Sequence, residues 1–112
     1  MKLVTAVVQL EKLEDAVRAV SAAGARGLTA TEVRGFGQQF GHHGPDRPED
    51  AEVMLLHKVR IDVVTTDELS WVVAEAIAKA VSTGTIGDGK VWISPVEGAL
   101  RVRTGERDLA AL

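Results

Sequence analysis

The stretch Lys58–Glu68, KVRIDVVTTDE, holds a strand with two unequal faces and the start of a helix. Val59, Ile61 and Val63 alternate with Lys58, Arg60 and Asp62. Successive strand side chains point to opposite faces, so one face here is apolar and the other charged. This is the pattern of a half-buried antiparallel strand, and the strand region extends over Val53–Val64. Thr65-Thr66-Asp67-Glu68 then has the spacing of a capping box, with Thr65 as N-cap and Glu68 as the third helical residue. Leu69, Val72, Val73, Ala76 and Ala80 supply the stripe that the helix over 66–82 is expected to bury.

The same alternation of types runs through the rest of the chain. Leu3–Val8 is a short apolar run that reads as a buried strand. Glu11–Ala23 reads as a helix with Leu13, Ala16, Val17 and Val20 on one face, and Gly24 is placed to end it. Leu28–Arg34 is β-prone. Val91–Ser94 is a strand, and Ala99–Arg103 an extra short one after a turn at Pro95–Gly98. The order is β-α-β-loop-β-α-β. It predicts an α+β, ferredoxin-like double β-α-β domain, an antiparallel sheet with both helices on one face. Lys58, Arg60 and Asp62 then lie on the other face.

The chain has 112 residues, which suits one domain spanning 1–112. Hydrophobic residues make up 46% but aromatics only 4%, so Val, Ala and Leu must build the core. The net charge of −3 argues against a nucleic-acid partner, whose phosphates call for basic protein surface. Without cysteine there are no disulfides, cysteine zinc sites or thiol catalysis. No apolar run reaches the length of a membrane span, and the expectation is a cytoplasmic protein.

Two glycine-rich segments carry the functional signal. TGTIGDGK, Thr83–Lys90, contains GxxxxGK. A P-loop would place Ser or Thr after the lysine, between a strand and a helix. Here Val91 follows, and the loop runs from helix to strand. Backbone N–H groups of a glycine loop with a lysine nonetheless suit an anion. The plain reading is a helix-to-strand connection with one glycine as C-cap, but three glycines in six residues exceed that need. The second segment, Gly35–Asp50, has four glycines and two prolines and reads as a long loop. Its GFGQQFG is one residue too long for a dinucleotide fingerprint. His42 and His43, with Asp46 or Glu49, give an alternative: a metal-responsive binding protein on the same fold. Adjacent loop side chains point apart, which favours solvated histidines.

Lys58 and Lys90, with Arg101 and Arg103 on one face of the last strand, form a set of cations that suits a polyphosphate if the strand edges meet, within a subunit or across an oligomer. Singly, each is a solvated surface charge. No Ser-His-Asp order or carboxylate pair suggests catalysis, and the chain is not expected to be an enzyme.

TEVRGFG (Thr31–Gly37), TGTIGDGK (Thr83–Lys90) and RVRTGE (Arg101–Glu106) together resemble the PII signal-transduction family, the nitrogen regulatory proteins. The resemblance covers essentially the whole chain. It implies a homotrimer with ATP or ADP in clefts between subunits, Mg²⁺ with the ATP, and often 2-oxoglutarate beside it. It implies a target-docking T-loop at about 37–55, a B-loop at about 82–90 and a C-loop at about 102–112. Nucleotide-binding positions carried over are Thr29, Gly35, Gly37, Lys58, Asp62, Val64, Gly87, Gly89, Lys90, Arg101 and Arg103. Gln39 matches the residue that helps hold Mg²⁺ and 2-oxoglutarate. The implied partners are target enzymes or membrane transporters docked by the T-loop.

The departures are specific. Ala51 replaces the usual T-loop tyrosine and Glu49 the serine phosphorylated in some relatives, so nucleotidylylation at the usual site is chemically impossible. Gln9, Gln38, Phe40 and Thr85 stand where the family is usually basic, Leu10 where it has proline, and Asp62 where it has Glu. The nucleotide positions other than Asp62 are retained, whereas the sensed carboxylate, 2-oxoglutarate or another, is left open.

Overall fold

The computed structural model describes residues 1–37 and 54–112. Six elements carry the architecture: β1 (Lys2–Gln9), α1 (Leu13–Ala22), β2 (Thr29–Gly35), β3 (Leu56–Thr65), α2 (Asp67–Val81) and β4 (Gly89–Pro95). The sheet order is β2-β3-β1-β4, with every neighbouring pair antiparallel. This is the ferredoxin-like α+β arrangement expected from the sequence.

Register assigns the two faces. Ala30, Ile61, Ala6 and Val91 form one row across all four strands, and Thr29, Asp62, Thr5 and Trp92 form the next. Ile61 and Ala6 of the first row are buried under the helices and Val91 packs beside them, whereas Ala30 at the β2 edge is exposed. The second, with Thr31-Arg60-Val7-Lys90 and Val33-Lys58-Gln9, lies on the open face. Lys58, Arg60 and Asp62 are thus opposite the helices, as their alternation predicts.

The core is the seam between sheet and helices. Val4, Ala6, Val8, Val59, Ile61 and Val63 from the sheet meet Ala16 and Val20 of α1 and Val73, Ala74, Ile77 and Val81 of α2. Leucine does not enter its fully buried centre. Leu10, Leu13, Leu28 and Leu69 pack around the rim instead. β-branched residues fit a pleated, half-buried surface well, and each buried Val or Ile contributes about 1.5–3 kcal/mol over an exposed one. At Gly89 the backbones of β4 and β1 come so close that an added Cβ would lie 2.1 Å from the Val7 carbonyl oxygen.

Several boundaries differ from the sequence reading. A short 3₁₀ turn, Leu10–Lys12, precedes α1, and Val17 is partly exposed rather than in the core. The α2 N-cap is Thr66, whose hydroxyl accepts from Leu69 N, because Thr65 is still paired with Lys2 at the end of β3. The buried face of α2 is Ser70, Val73, Ala74, Ile77 and Val81, leaving Val72 half exposed. Ser70 is tolerated inside because its hydroxyl donates to the Asp67 carbonyl at 2.7 Å. Ala99–Arg103 is not a strand of the sheet; it joins one isolated bridge, Leu100 with Arg107.

Candidate functional site

The loop between α2 and β4 is braced from within by Asp88. Its carboxylate accepts from Thr83 N at 2.8 Å, from Gly84 N at 2.9 Å and from the Thr83 hydroxyl. The Thr83 hydroxyl foremost, then the backbone N–H groups of Thr83, Gly84 and Thr85, hold the Asp88 carboxyl below its usual range. Hydrogen bonds to the charged form favour that form. One rim of the loop therefore already holds its anion, and Gly87 and Gly89 lie beyond that brace.

The loop is also tied to the sheet. The Gly87 carbonyl accepts from Lys58 Nζ at 3.1 Å and from Gln9 Nε2 at 3.3 Å. Lys58 and Gln9 share a row on the open face, so β3 and β1 each send one donor to the same oxygen. Around this contact is a cleft of about 640 Å³ lined by Gly35, Gly37, Lys58, Gly87, Gly89 and Lys90, with Phe36 and Ile86 at its apolar side. Two cations and a run of glycine backbone can hold an anion there.

A second cleft, of about 710 Å³, lies toward the other end of β3. Thr29, Asp62, Val64 and Arg101 line it, together with Arg26 and Leu112. Asp62 accepts from the buried Thr5 hydroxyl at 2.8 Å and from Arg60 Nε at 3.0 Å. The Thr5 contact crosses from β1, whereas Arg60 lies two residues back along β3 itself. Lys58 and Asp62 share one strand face but are four residues apart, about 13 Å at the rise of an antiparallel strand.

Six of the eleven nucleotide positions expected from the sequence thus share the first cleft, and four share the second. Arg103 is exposed and lines neither. Of the four cations, Lys58 and Lys90 are together, whereas Arg101 is apart from them. Gln39, His42, His43, Asp46 and Glu49 lie outside the described residues. Among the described residues no group of three His, Cys, Asp or Glu side chains could hold a metal, and His57 is exposed on β3.

Sequence reasoning missed the brace at Asp88, the paired hold on Gly87, and Arg26. Asp88 could have been found: a carboxylate within a glycine loop is the natural acceptor for that loop's own N–H groups. Arg26 carried no motif.

The pattern of the chain matches the family described as "Nitrogen regulatory protein P-II" over residues 1–106. The chain belongs to the P-II family. It is 46% identical to the nitrogen regulatory protein GlnK of Escherichia coli (strain K12), over 112 residues and the whole of both chains. To the nitrogen regulatory protein P-II of Cereibacter sphaeroides it is 47% identical over 106 residues, 95% of each chain. An archaeal relative, nitrogen regulatory protein P-II 2 of Methanothermobacter thermautotrophicus, is 46% identical over 95% of this chain and 92% of its own. As a P-II chain, this one presents its open sheet face and both clefts on a single copy. No described helix is long and apolar enough to cross a membrane.

Proposed function

We propose that this P-II chain is a non-enzymatic, cytoplasmic signalling protein of nitrogen metabolism that binds ATP or ADP between subunits of a homotrimer. The observation that carries this reading is the division of the expected nucleotide set between two clefts toward opposite ends of β3. One chain offers Lys58, Lys90 and glycine backbone in one cleft, and Thr29, Val64 and Arg101 in the other. A second copy that sets its Arg101 cleft against the first copy's glycine loop brings both groups around one ligand. The B-loop (about 82–90) and the C-loop (about 102–112) then come from different subunits. Phosphates suit Gly87, Gly89, Lys90 and Arg101, and the base and ribose suit the cleft of Thr29 and Val64.

The signal is read by the segment 37–55, the T-loop. Gln39 at its base, with Mg²⁺ when ATP is bound, makes the loop respond to the γ-phosphate, a type of order change used by other nucleotide switches. The loop docks on a target enzyme or membrane transporter. A small carboxylate, 2-oxoglutarate or another, is the second input. Gln9 gives the neighbourhood of Lys58 an amide where relatives carry a base, which weakens the hold on a dianion.

Calorimetry with ATP, ADP and AMP, each with and without 2-oxoglutarate, tests the reading alongside light scattering for mass. The expected result is a trimer binding one ATP or ADP per chain, with AMP weaker. A trimer that takes up neither ATP nor ADP would sink it.

A further inference from the structure

Arg101 is occupied before any ligand arrives. Its Nη1 donates to Glu106 Oε1 at 3.0 Å and its Nη2 to the main-chain oxygen of Leu112 at 2.8 Å. Each terminal nitrogen of the guanidinium thus makes one internal hydrogen bond, and the one from Nη1 goes to a carboxylate. Glu106 is itself aimed at this contact. The Thr104 hydroxyl donates to the same Oε1 at 2.8 Å, and the hairpin is closed by Arg101 N to Glu106 O at 2.9 Å and Gly105 N to Arg101 O at 2.8 Å. Arg103, two residues on, forms no comparable ion pair among the described residues.

We propose that Glu106 is an internal stand-in for phosphate, and that it sets the threshold of the site by competing with the nucleotide for Arg101. The proposal rests on the nucleotide reading of Arg101 given above. A guanidinium binds carboxylate and phosphate through the same planar fork, so the two compete for one set of donors. The pair is only partly shielded, with side-chain exposures of 35% for Arg101 and 44% for Glu106, so it exchanges readily. Displaced, Glu106 keeps its Thr104 hydrogen bond and gains water. A strongly anionic phosphate chain can therefore lift Arg101 off Glu106, whereas a weak monoanion cannot. The two residues also bracket the hairpin 101–106, so the exchange couples phosphate occupancy to the shape of the C-loop. In a trimer that makes each C-loop a reporter of its neighbour's nucleotide.

Glu106→Gln tests this in the full-length chain. The amide keeps the acceptor that Arg101 and Thr104 use but removes the charge. An exposed pair of this kind is worth up to about 1 kcal/mol. Its loss should tighten ATP and ADP binding by about two- to five-fold, by calorimetry on matched trimers. Tripolyphosphate, which has no base or ribose, should show the same gain. Glu106→Ala should gain at least as much wherever its melting temperature equals that of the parent. Unchanged or weaker binding in Glu106→Gln, with the parent binding normally, would make Glu106 a brace of the hairpin and overturn the proposal alone. Loss of nucleotide binding in parent and variants alike would instead overturn the nucleotide reading, and this proposal with it.

Discussion

Lys58 Nζ stands 3.1 Å from the carbonyl oxygen of Gly87, so a strand residue of β3 holds down the loop that precedes β4. The residues are 29 apart in sequence, and the contact explains why a lysine is needed at the end of a charged strand face. It anchors the loop and keeps a positive charge in the cleft beneath it. Lys58→Met, which retains most of the stem, should weaken binding of ATP or tripolyphosphate by about ten-fold or more, since a hydrogen bond to a charged group is worth about 1.5–3 kcal/mol. Gln9→Ala removes a neutral donor to the same oxygen and should cost less, about 0.5–1.5 kcal/mol. Calorimetry on both variants checks the ranking, and equal effects would contradict it.

Asp88 makes the loop pH-sensitive in a defined direction. Its carboxyl lies below the ordinary value of 3.8 because the ionised form is favoured by the Thr83 hydroxyl and by loop N–H groups. A depressed acid contributes its stabilisation above the unfolded value and loses it as pH falls through the folded value. The amide resonances of Thr83 and Gly84 should therefore hold steady from neutral pH down to about pH 4 and move only at more acid pH. Movement centred above that point would show that the brace does not favour the carboxylate. Asp88→Ala should abolish the transition and loosen the loop at neutral pH.

Gly89 and Gly84 belong to one loop but should respond differently to alanine. At Gly89 φ is +112° and a Cβ would meet Val7 O at 2.1 Å, so β1 and β4 would have to part. At Gly84 φ is +79° but nothing lies within 4 Å of the added carbon. Gly84→Ala pays only for left-handed backbone, about 1–2 kcal/mol. Gly89→Ala adds a clash with strand backbone and should exceed about 3 kcal/mol. Urea unfolding of the two variants gives the comparison. A Gly89→Ala chain as stable as Gly84→Ala would mean that the close approach is not maintained in solution.

The strands and their buried faces were legible because a period of two leaves little choice: Val59, Ile61 and Val63 had to share a face. The helix α2 was less so. Val72, Val73, Ala74, Ala76, Ile77, Ala78, Ala80 and Val81 support two overlapping apolar stripes, and only packing on α1, β1 and β4 selects the one through Val73 and Ile77. The two threonines at 65 and 66 posed a similar choice. Pairing of Thr65 with Lys2 carries β3 one residue further and leaves the cap to Thr66. Arg101 and Arg103 alternate like strand residues, but their segment finds Arg107 rather than a sheet edge. At the site, resemblance supplied the residue types. Their separation into two clefts depends on four residues of strand between Lys58 and Asp62, a distance no motif expresses.

The two tryptophans offer a direct view of assembly. Trp92 sits on the open sheet face in the row of Thr5 and Asp62 and is 42% exposed, while Trp71 is on α2 and 67% exposed. Val64 shares the open face and is also exposed, so this surface presents apolar side chains beside its charges. A homotrimer that closes over the open faces buries Trp92 and leaves Trp71 in water, because the helices lie on the other side of the sheet. In a Trp71→Phe variant, the remaining emission should be blue-shifted in the trimer and move to the red on dissociation by dilution or mild urea. In Trp92→Phe, the Trp71 emission should stay red-shifted throughout. Trp92 emission indifferent to dissociation would place the subunit contacts elsewhere, and with them the joining of the Arg101 cleft to the glycine loop.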